Sequence, residues 1–490
     1  MNERYVNKDI SRIWEDKNKL FLWQKVELAV IEARVKTKEL DPGSFQKISK
    51  ILKTYPIDIS WWKQRDKEIH HDLKAFIDER ARFLPEELQK HLHKKITSYD
   101  TEEPAFAIML LDSCKIIEDL YYPLRTILKG KAVKYRYTVM NGRTHGQEAE
   151  LQSLGKRFLS WYADLELDFN NLMDAKRKIN KSKLSGAIGN YVGINPKIEE
   201  ESLRILDLEP YFGSTQIMPR ENYVHLAEAL CQVVCTISKI AKTIRLGARS
   251  GRPIYQEPFS KKQKGSSTMP HKKNTIRTEQ LEGMARMAKA YLQMIMANIE
   301  TWEERAIEQS CVERVAWPDL FHVTARSLKV ITKVIDGLQI YPDNMLLEIL
   351  ESRGCYASSE AKELLQELGF SRDDSYNIVQ LAAFNAFEVN RERRSMRKSP
   401  TTSFGPIDLL ISKTSNMINV LSQEARSIKD VIKGGKLRVS SDLSFEEKEV
   451  RKWNKKLNEI FNNRKNVEKW NKIFLASYLL RREKKLYEEI

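Results

Sequence analysis

Apolar residues recur every three to four positions along most of this chain, and the runs are long. Between about Ile13 and Leu40, residues Trp14, Phe21, Val26, Val30 and Ala33 fall at helical spacing. Longer runs follow at roughly Glu103–Leu128, from Gln147 towards Ile179, at Arg220–Ala248, at Ile276–Trp302 and at Val312–Leu338. Five helices of roughly twenty-five to thirty residues exceed what an ordinary globular domain holds. Their apolar faces suit a bundle, packed on one another or on a neighbouring subunit. The expected fold class is therefore all-α.

Shorter elements surround these runs. Residues 1–10 read as an extended polar arm. Asp41-Pro42 places an N-cap before proline and opens a short helix. Another helix is expected at Trp61–Ile69. Val133–Met140 alternates weakly, as a strand or the last turns of a helix. Ser185–Pro196, SGAIGNYVGINP, is a glycine-broken loop without the spacing of a dinucleotide fingerprint. Tyr341–Ala425 breaks into shorter helices. In the tail, Ser444 and Glu447 form a capping-box pattern, and Val450, Trp453, Leu457 and Ile460 follow at helical spacing. A second tail helix is expected at Val467–Leu486. Four segments result: 1–102, 103–340, 341–427, and an extra basic amphipathic tail at 428–490.

Composition agrees with helices, since 19 Gly and 15 Pro in 490 residues are few for an all-β chain. Five cysteines form no CxxC pair. Cys231 and Cys235, one helical turn apart on an apolar stretch, suit core packing. The polar start, MNERYVNKDI, does not read as a signal peptide, and no apolar run reaches the ~18 residues that span a bilayer. A reducing cytoplasm is the expected location, with no membrane partner. The net charge is +16, and the tail after Ser427 carries 17 Lys/Arg against 10 Asp/Glu. No nucleic-acid motif accompanies that charge, so nucleic acid is not the expected partner. His70 with His71, and His91 with His93, lack the spacing and the further ligands of a metal site.

The stretch Lys261–Asn274, KKQKGSSTMPHKKN, has no apolar periodicity and lies between helical segments. Gly265 loosens the backbone ahead of Ser266 and Ser267, while Pro270 restricts the residue before it. Two hydroxyls among lysines suit a carboxylate or a phosphate, and a solvated basic linker is the plain alternative. GSSTMPHKKN, however, resembles the GSSxMPxKxN signature of the fumarase/aspartase superfamily. Those enzymes eliminate fumarate, or a close relative, from a substituted succinate. The resemblance implies a central long-helix bundle with smaller helical N- and C-terminal domains. It also implies a homotetramer with active sites built from three subunits, and no metal or organic cofactor. By the same resemblance Ser266 is the base and Ser267 contacts a substrate carboxylate. Lys272 and Asn274 steady the carbanion, with Met269 and Lys273 beside them. A serine is a poor base unless its alkoxide is stabilised by cations, N–H groups and exclusion of water.

Further segments are similar to those of the adenylosuccinate lyases. NGRTHGQEAE resembles that family's RTHGQ motif, which implies His145 as general acid, a role suited to a group that holds a proton near neutral pH. An isolated histidine would more often be structural. ERY resembles a phosphate-contacting arm and implies Arg4 and Tyr5. KEIHHDLKAF implies His71 and Asp72 at the substrate, with His70 adjacent. KKITSYD implies Thr97 and Ser98, with His93 just upstream. STQIMPRENY implies Gln216. WEERAIEQSCVER implies Arg305, Ser310 and Arg314 facing the nucleotide, and Glu279 falls where a glutamate supports the catalytic histidine. The resemblance covers roughly residues 1–427. It implies release of fumarate from adenylosuccinate, giving AMP, and from the succinylated carboxamide ribotide earlier in purine synthesis. Departures stand at Lys95 for a usual Gly, Thr275 for Pro, Gln280 for Asn, and around Gln309. They leave room for a lyase of another succinyl conjugate. A silent relative would have lost Ser266 or His145, and both are present.

Overall fold

The computed structural model describes residues 1–396, 427–440 and 443–488, with the side chains of 387–396 left aside. Helices dominate, and the strands among the described residues are short and paired in two-stranded sheets. The chain divides into two compact units. One comprises Met1–Ile127, Tyr162–Leu246 and Glu257–Leu338; the other comprises Leu128–Trp161, Gly247–Gln256 and Gln339–Ile490.

In the first unit, the start of the chain is helical rather than extended. Asn2 caps a short 3-10 turn at Glu3–Tyr5, and Asn7 caps α1 (Lys8–Trp14) by accepting from two backbone N–H groups. The expected polar arm is thus corrected: two asparagines at N-cap positions satisfy the free amides that an extended arm would leave to water. Then follow α2 (Asp16–Lys36), α3 (Pro42–Thr54), α4 (Ile59–Ile69), α5 (Asp72–Ala81), α6 (Glu86–Gln89) and α7 (Ser98–Lys134). The Asp41 carboxylate accepts from Ser44 N, as its place before Pro42 predicts. Leu20, Trp23, Val26, Phe76, Ala107 and Leu203 belong to one buried cluster joining α2, α5, α7 and α9 (Pro196–Ile205).

The remaining long helices are α8 (Leu154–Lys178), α10 (Glu221–Gly247), α11 (Ile276–Ala297) and α12 (Glu308–Asp336). Helices α11 and α12 pack along one another. Among the described residues, α10 is long and apolar enough, by length and composition, to cross a membrane, and 61% of that window is buried inside the protein. The expectation that no such stretch exists is corrected, and the burial is that of a core helix. Cys231 and Cys235 lie on it with their sulfurs 4.0 Å apart.

The second unit contains the antiparallel hairpin β1 (Val139–Thr144) and β2 (Gln147–Ser153). Val133–Met140 divides between its two readings, since α7 ends at Lys134 and β1 starts at Val139, and the next helix starts at Leu154 rather than Gln147. The tail helices Ile428–Lys433, Glu447–Phe461 and Arg464–Ile473 pack Val431, Trp453, Leu457 and Trp470 against Leu365, Ile378 and Ala382. The capping box is formed by Glu446 and Glu449, not Ser444 and Glu447. The expected helix at Val467–Leu486 is instead a helix to Ile473, a turn at Ala476–Leu479 and a 3-10 turn at Glu483–Tyr487. The part of Tyr341–Ala425 beyond Met396 lies outside the described residues.

One buried ion pair ties the first unit's loops to its helices. The Asp100 carboxylate and Lys183 Nζ are 2.7 Å apart, and both side chains are fully buried. Asp100 also accepts from Thr97 N and Gly186 N, while Lys183 donates to the carbonyls of Gly186 and Gln216. Removing one partner strands the other charge in a dry interior. Lys183→Met is expected to cost about 3–5 kcal/mol of stability, and Asp100→Asn/Lys183→Met less than Lys183→Met alone. Chemical denaturation of the three proteins checks this; a loss within about 1 kcal/mol for Lys183→Met would contradict it.

Candidate active site

The first cluster of expected residues forms where α4, α5, α7 and α12 present their ends. His70 closes α4 with a left-handed backbone, φ 51°, so the chain turns sharply and His71 becomes the N-cap of α5. His71 Nδ1 accepts from Lys74 N at 3.3 Å, which places its proton on Nε2, 3.5 Å from Ser98 Oγ. Next to it the Asp72 carboxylate pairs with Arg314 at 3.0 Å. Ser98 opens α7. Thr97 precedes it and donates its backbone N–H to Asp100 at 2.8 Å, half of a capping box.

A second group reaches the same helix end. Gln216 donates to the Ala187 carbonyl at 2.9 Å and accepts from Arg305 at 3.0 Å. The Arg305 guanidinium lies 4.0 Å from the Tyr99 ring centroid, and its Nε has no hydrogen-bond partner among the described residues. Gly189 makes this packing possible: at φ 79°, a Cβ there would stand 2.1 Å from the Ser214 carbonyl oxygen. His71, Asp72, Thr97, Ser98, Gln216, Arg305 and Arg314 therefore belong to one connected surface, joined by Ser310 through the cavity described below. Exposed Arg314 and half-buried Arg305 suit a phosphate or carboxylate.

His93 is structural. Its ring and its backbone N–H both meet the Glu27 carboxylate, at 2.8 and 2.9 Å, and Thr101 adds a third bond. Burial would lower the His93 pKa, but the Glu27 charge and hydrogen bond overcome it and leave it raised. The turn ends at Lys95, whose φ of 60° lies in the left-handed region that glycine adopts without strain. The departure at this position thus puts a lysine where the backbone favours glycine.

The signature loop forms its own cluster. Gly265 permits a close crossing, since a Cβ there would lie 1.9 Å from the Lys272 carbonyl oxygen. Asn274 Nδ2 bonds the Gly265 carbonyl at 2.8 Å and closes the loop. Ser266 Oγ accepts from the backbone N–H groups of Met269 at 3.0 Å and Thr268 at 3.3 Å. Ser267, Met269, Lys272 and Lys273 are exposed. Glu279 meets Thr275 and Arg245, at 3.2 and 3.7 Å. Among the described residues no hydrogen bond or ion pair joins this loop to the Arg305–Arg314 surface. Arg4 is exposed and Tyr5 half-buried on the first 3-10 turn.

His145 occupies the tip of the hairpin in the second unit. Thr144 pairs with Gln147, so His145 and Gly146 form a two-residue turn. Both have positive φ, 53° and 78°, as a type I′ turn requires. The imidazole is exposed there. Glycine is the easy occupant of such a position; a histidine is held there against strain.

Sequence reasoning missed a cavity of about 310 Å³ beside the first cluster, lined in part by Trp14, Lys19, Trp23, Glu102, Ser310 and Arg314. Burial pushes the Glu102 carboxyl up to about 8; the Asp72 charge adds to this, while Arg314, Arg305 and Lys19 oppose it. Glu102 sits on the apolar stripe of α7, and an acid in an apolar stripe was the available signal. Among the described residues no group of three or more His, Cys, Asp or Glu is placed to hold a metal.

A family model described as Lyase matches residues 7–289. Adenylosuccinate lyase of Synechocystis is 34% identical over 389 residues, covering 79% of this chain and 89% of the relative. That of Aquifex aeolicus is 34% identical over 394 residues, with 80% and 89% covered. That of Pyrococcus horikoshii is 32% identical over 398 residues, with 81% and 88% covered. Among solved structures, a fumarate lyase from Mesorhizobium superposes with a TM-score of 0.72 at 16% identity, covering 97% of this chain and 99% of that one. A beta-carboxy-cis,cis-muconate cycloisomerase from Acinetobacter calcoaceticus gives 0.68 at 18% identity, covering 86% and 98%. Together with the family match, these structures give the chain the all-α fumarase/aspartase fold.

Glu102 generates a pH prediction. Its folded pKa of about 8 exceeds the ordinary 4.5, so between those values the folded protein keeps a proton that the unfolded chain has released. Stability falls as pH rises through that window and levels off above it. Glu313, pushed up to about 7 by burial against the pull of Arg220, acts in the same sense. The fall in melting temperature from pH 5 to pH 8.5 is expected to be smaller in Glu102→Gln than in the parent. Parallel curves would contradict the assignment.

Proposed function

The chain belongs to the adenylosuccinate lyase family, and on that premise we propose that it eliminates fumarate from adenylosuccinate, leaving AMP. The succinylated carboxamide ribotide is the second substrate, since it presents the same succinyl carbon–nitrogen bond and a phosphate.

The observation that carries the mechanism is the setting of Ser266. Elimination requires a proton to leave a carbon next to a carboxylate, and a neutral hydroxyl does not remove it. Two backbone N–H groups already point at Ser266 Oγ. They stabilise negative charge on that oxygen, as Lys272 and Lys273 do through their charge. Ser266 takes the proton. The carbanion spreads into the carboxylate, where Ser267, Lys272 and Asn274 steady it. Met269 borders the same group. The carbanion's electron pair then forms the double bond of fumarate as the carbon–nitrogen bond breaks, and His145 gives a proton to the leaving nitrogen, so the departing purine carries no negative charge. Arg305, Ser310, Arg314, His71, Asp72, Thr97, Ser98 and Gln216 hold the nucleotide, with His70 shaping the turn and Arg4 and Tyr5 reaching the phosphate.

The working species is a homotetramer with shared active sites, in which Glu279 supports His145. Exposed apolar residues on long helices favour this reading: Leu167, Met294, Met296 and Val315 are ones that a second copy would cover. The reaction uses no metal or organic cofactor, and the protein works in the cytoplasm.

Fumarate appearance from adenylosuccinate tests the proposal. The parent protein is expected to release fumarate, while Ser266→Ala and His145→Ala each lose at least about 100-fold in kcat. No release by the folded parent would overturn the substrate assignment and direct attention to other succinyl conjugates.

A further inference from the structure

Glu483 and Tyr487, near the end of the tail, grip the base of the hairpin that carries His145. Glu483 lies in the closing 3-10 turn and accepts from Ser153 N with both carboxylate oxygens, at 3.1 and 3.3 Å. Tyr487 OH meets Ser153 Oγ at 2.7 Å. Ser153 is the last residue of β2 and pairs with Val139 at the start of β1. It is also the N-cap of α8, because its Oγ accepts from Lys156 N at 3.0 Å. One residue thus ends the hairpin and starts a helix, and two tail side chains hold it.

The contact is fitted. Gly155 lacks a Cβ, and one placed there would lie 2.6 Å from Tyr487 OH and 2.4 Å from the Ala132 carbonyl oxygen. Only glycine leaves room for the end of α7, the start of α8 and the tyrosine at once. The Glu483 carboxylate also lies at the N-terminus of α8, where the helix dipole favours negative charge. Further along the hairpin, Glu150 accepts from Ser359 Oγ at 2.6 Å, and Arg143 pairs with Glu348 at 3.3 Å. The base, middle and tip of the hairpin are each tied to residues from the C-terminal part of the chain.

We propose that Glu483 and Tyr487 are positioning residues for His145: the C-terminal tail clamps the hinge between β2 and α8 and so fixes the direction in which the hairpin tip presents its imidazole. The proposal rests on the reading of His145 as general acid. A left-handed histidine at a two-residue turn needs a rigid ladder behind it, because the strain at the tip is otherwise relieved by fraying of the strands. With the base released, the hairpin opens and the imidazole samples orientations that do not reach the leaving nitrogen. Substrate still binds, since the nucleotide contacts lie on other elements. The tail thereby has a task in a reaction whose chemistry it never touches.

The test compares Glu483→Ala, Glu483→Gln and Tyr487→Phe in the full-length protein. Hydrogen exchange is followed in peptides covering 139–153, alongside kcat and KM for adenylosuccinate. Glu483→Ala is expected to speed hairpin exchange about 10-fold, the weight of one or two lost hydrogen bonds, and to lower kcat about 10-fold with KM within twofold. Glu483→Gln keeps an oxygen that accepts from Ser153 N and restores most of both. Tyr487→Phe falls between. Unchanged hairpin exchange in Glu483→Ala would overturn the proposal, as would faster exchange spread evenly over the chain, or a Glu483→Gln as impaired as Glu483→Ala. If the parent releases no fumarate, the lyase reading fails by itself, and hairpin exchange still decides whether the clamp exists.

Discussion

The Asp100–Lys183 ion pair is the constraint on which the Arg305–Arg314 surface of the first unit depends. Asp100 stands in the first turn of α7 and draws in the amides of Thr97 and Gly186. Lys183 answers with bonds to the carbonyls of Gly186 and Gln216. A charge pair without access to water must be geometrically satisfied or it costs more than it contributes. Four backbone groups from three loops provide that satisfaction. The loop before α7, the glycine-broken loop and the Gln216 loop therefore have little freedom relative to one another. Those are the loops that carry Thr97, Ser98 and the Gln216–Arg305 contact. Stability and site geometry share one origin here.

Three positions at or near residues with proposed roles carry backbone strain. His70, Lys95 and His145 all have positive φ, a conformation that costs a non-glycine residue about 1 kcal/mol or more. His70 turns the chain so that His71 and Asp72 open α5. Lys95 brings Thr97 and Ser98 round to the start of α7. His145 projects from a tight hairpin turn. Each strained residue redirects the chain immediately at or before a residue with a proposed chemical role, and each is flanked by a capped helix or a paired strand that holds it.

How much of this was legible in the sequence varied with the physics involved. The long helices were plain, since apolar periodicity persists over many turns; α10 falls within a residue of its expected ends. The hairpin was only half visible, because its outer half is polar on both strands and carries no alternation. Short strands of that kind are specified by the turn and by cross-strand partners distant in sequence. The tail cap was misplaced by two residues because Glu446 performs a role for which Ser444 has the better local chemistry. Motif residues such as Ser266 and His71 stood out through their unusual strings. Glu102, Glu483 and Tyr487 did not, for their significance comes from neighbours tens to hundreds of residues away.

The most direct measurement is a structure of the Ser266→Ala protein with adenylosuccinate bound, since loss of the proposed base is expected to let the substrate persist. The nucleotide is expected along Arg305, Ser310 and Arg314, on the face held by Asp100 and Lys183. The succinyl carbon that loses its proton should lie within about 4 Å of the residue 266 side chain, the reach of a reacting pair. His145 should face the bridging nitrogen. A succinyl group bound away from residue 266, or a nucleotide that leaves Arg305 and Arg314 untouched, would contradict it.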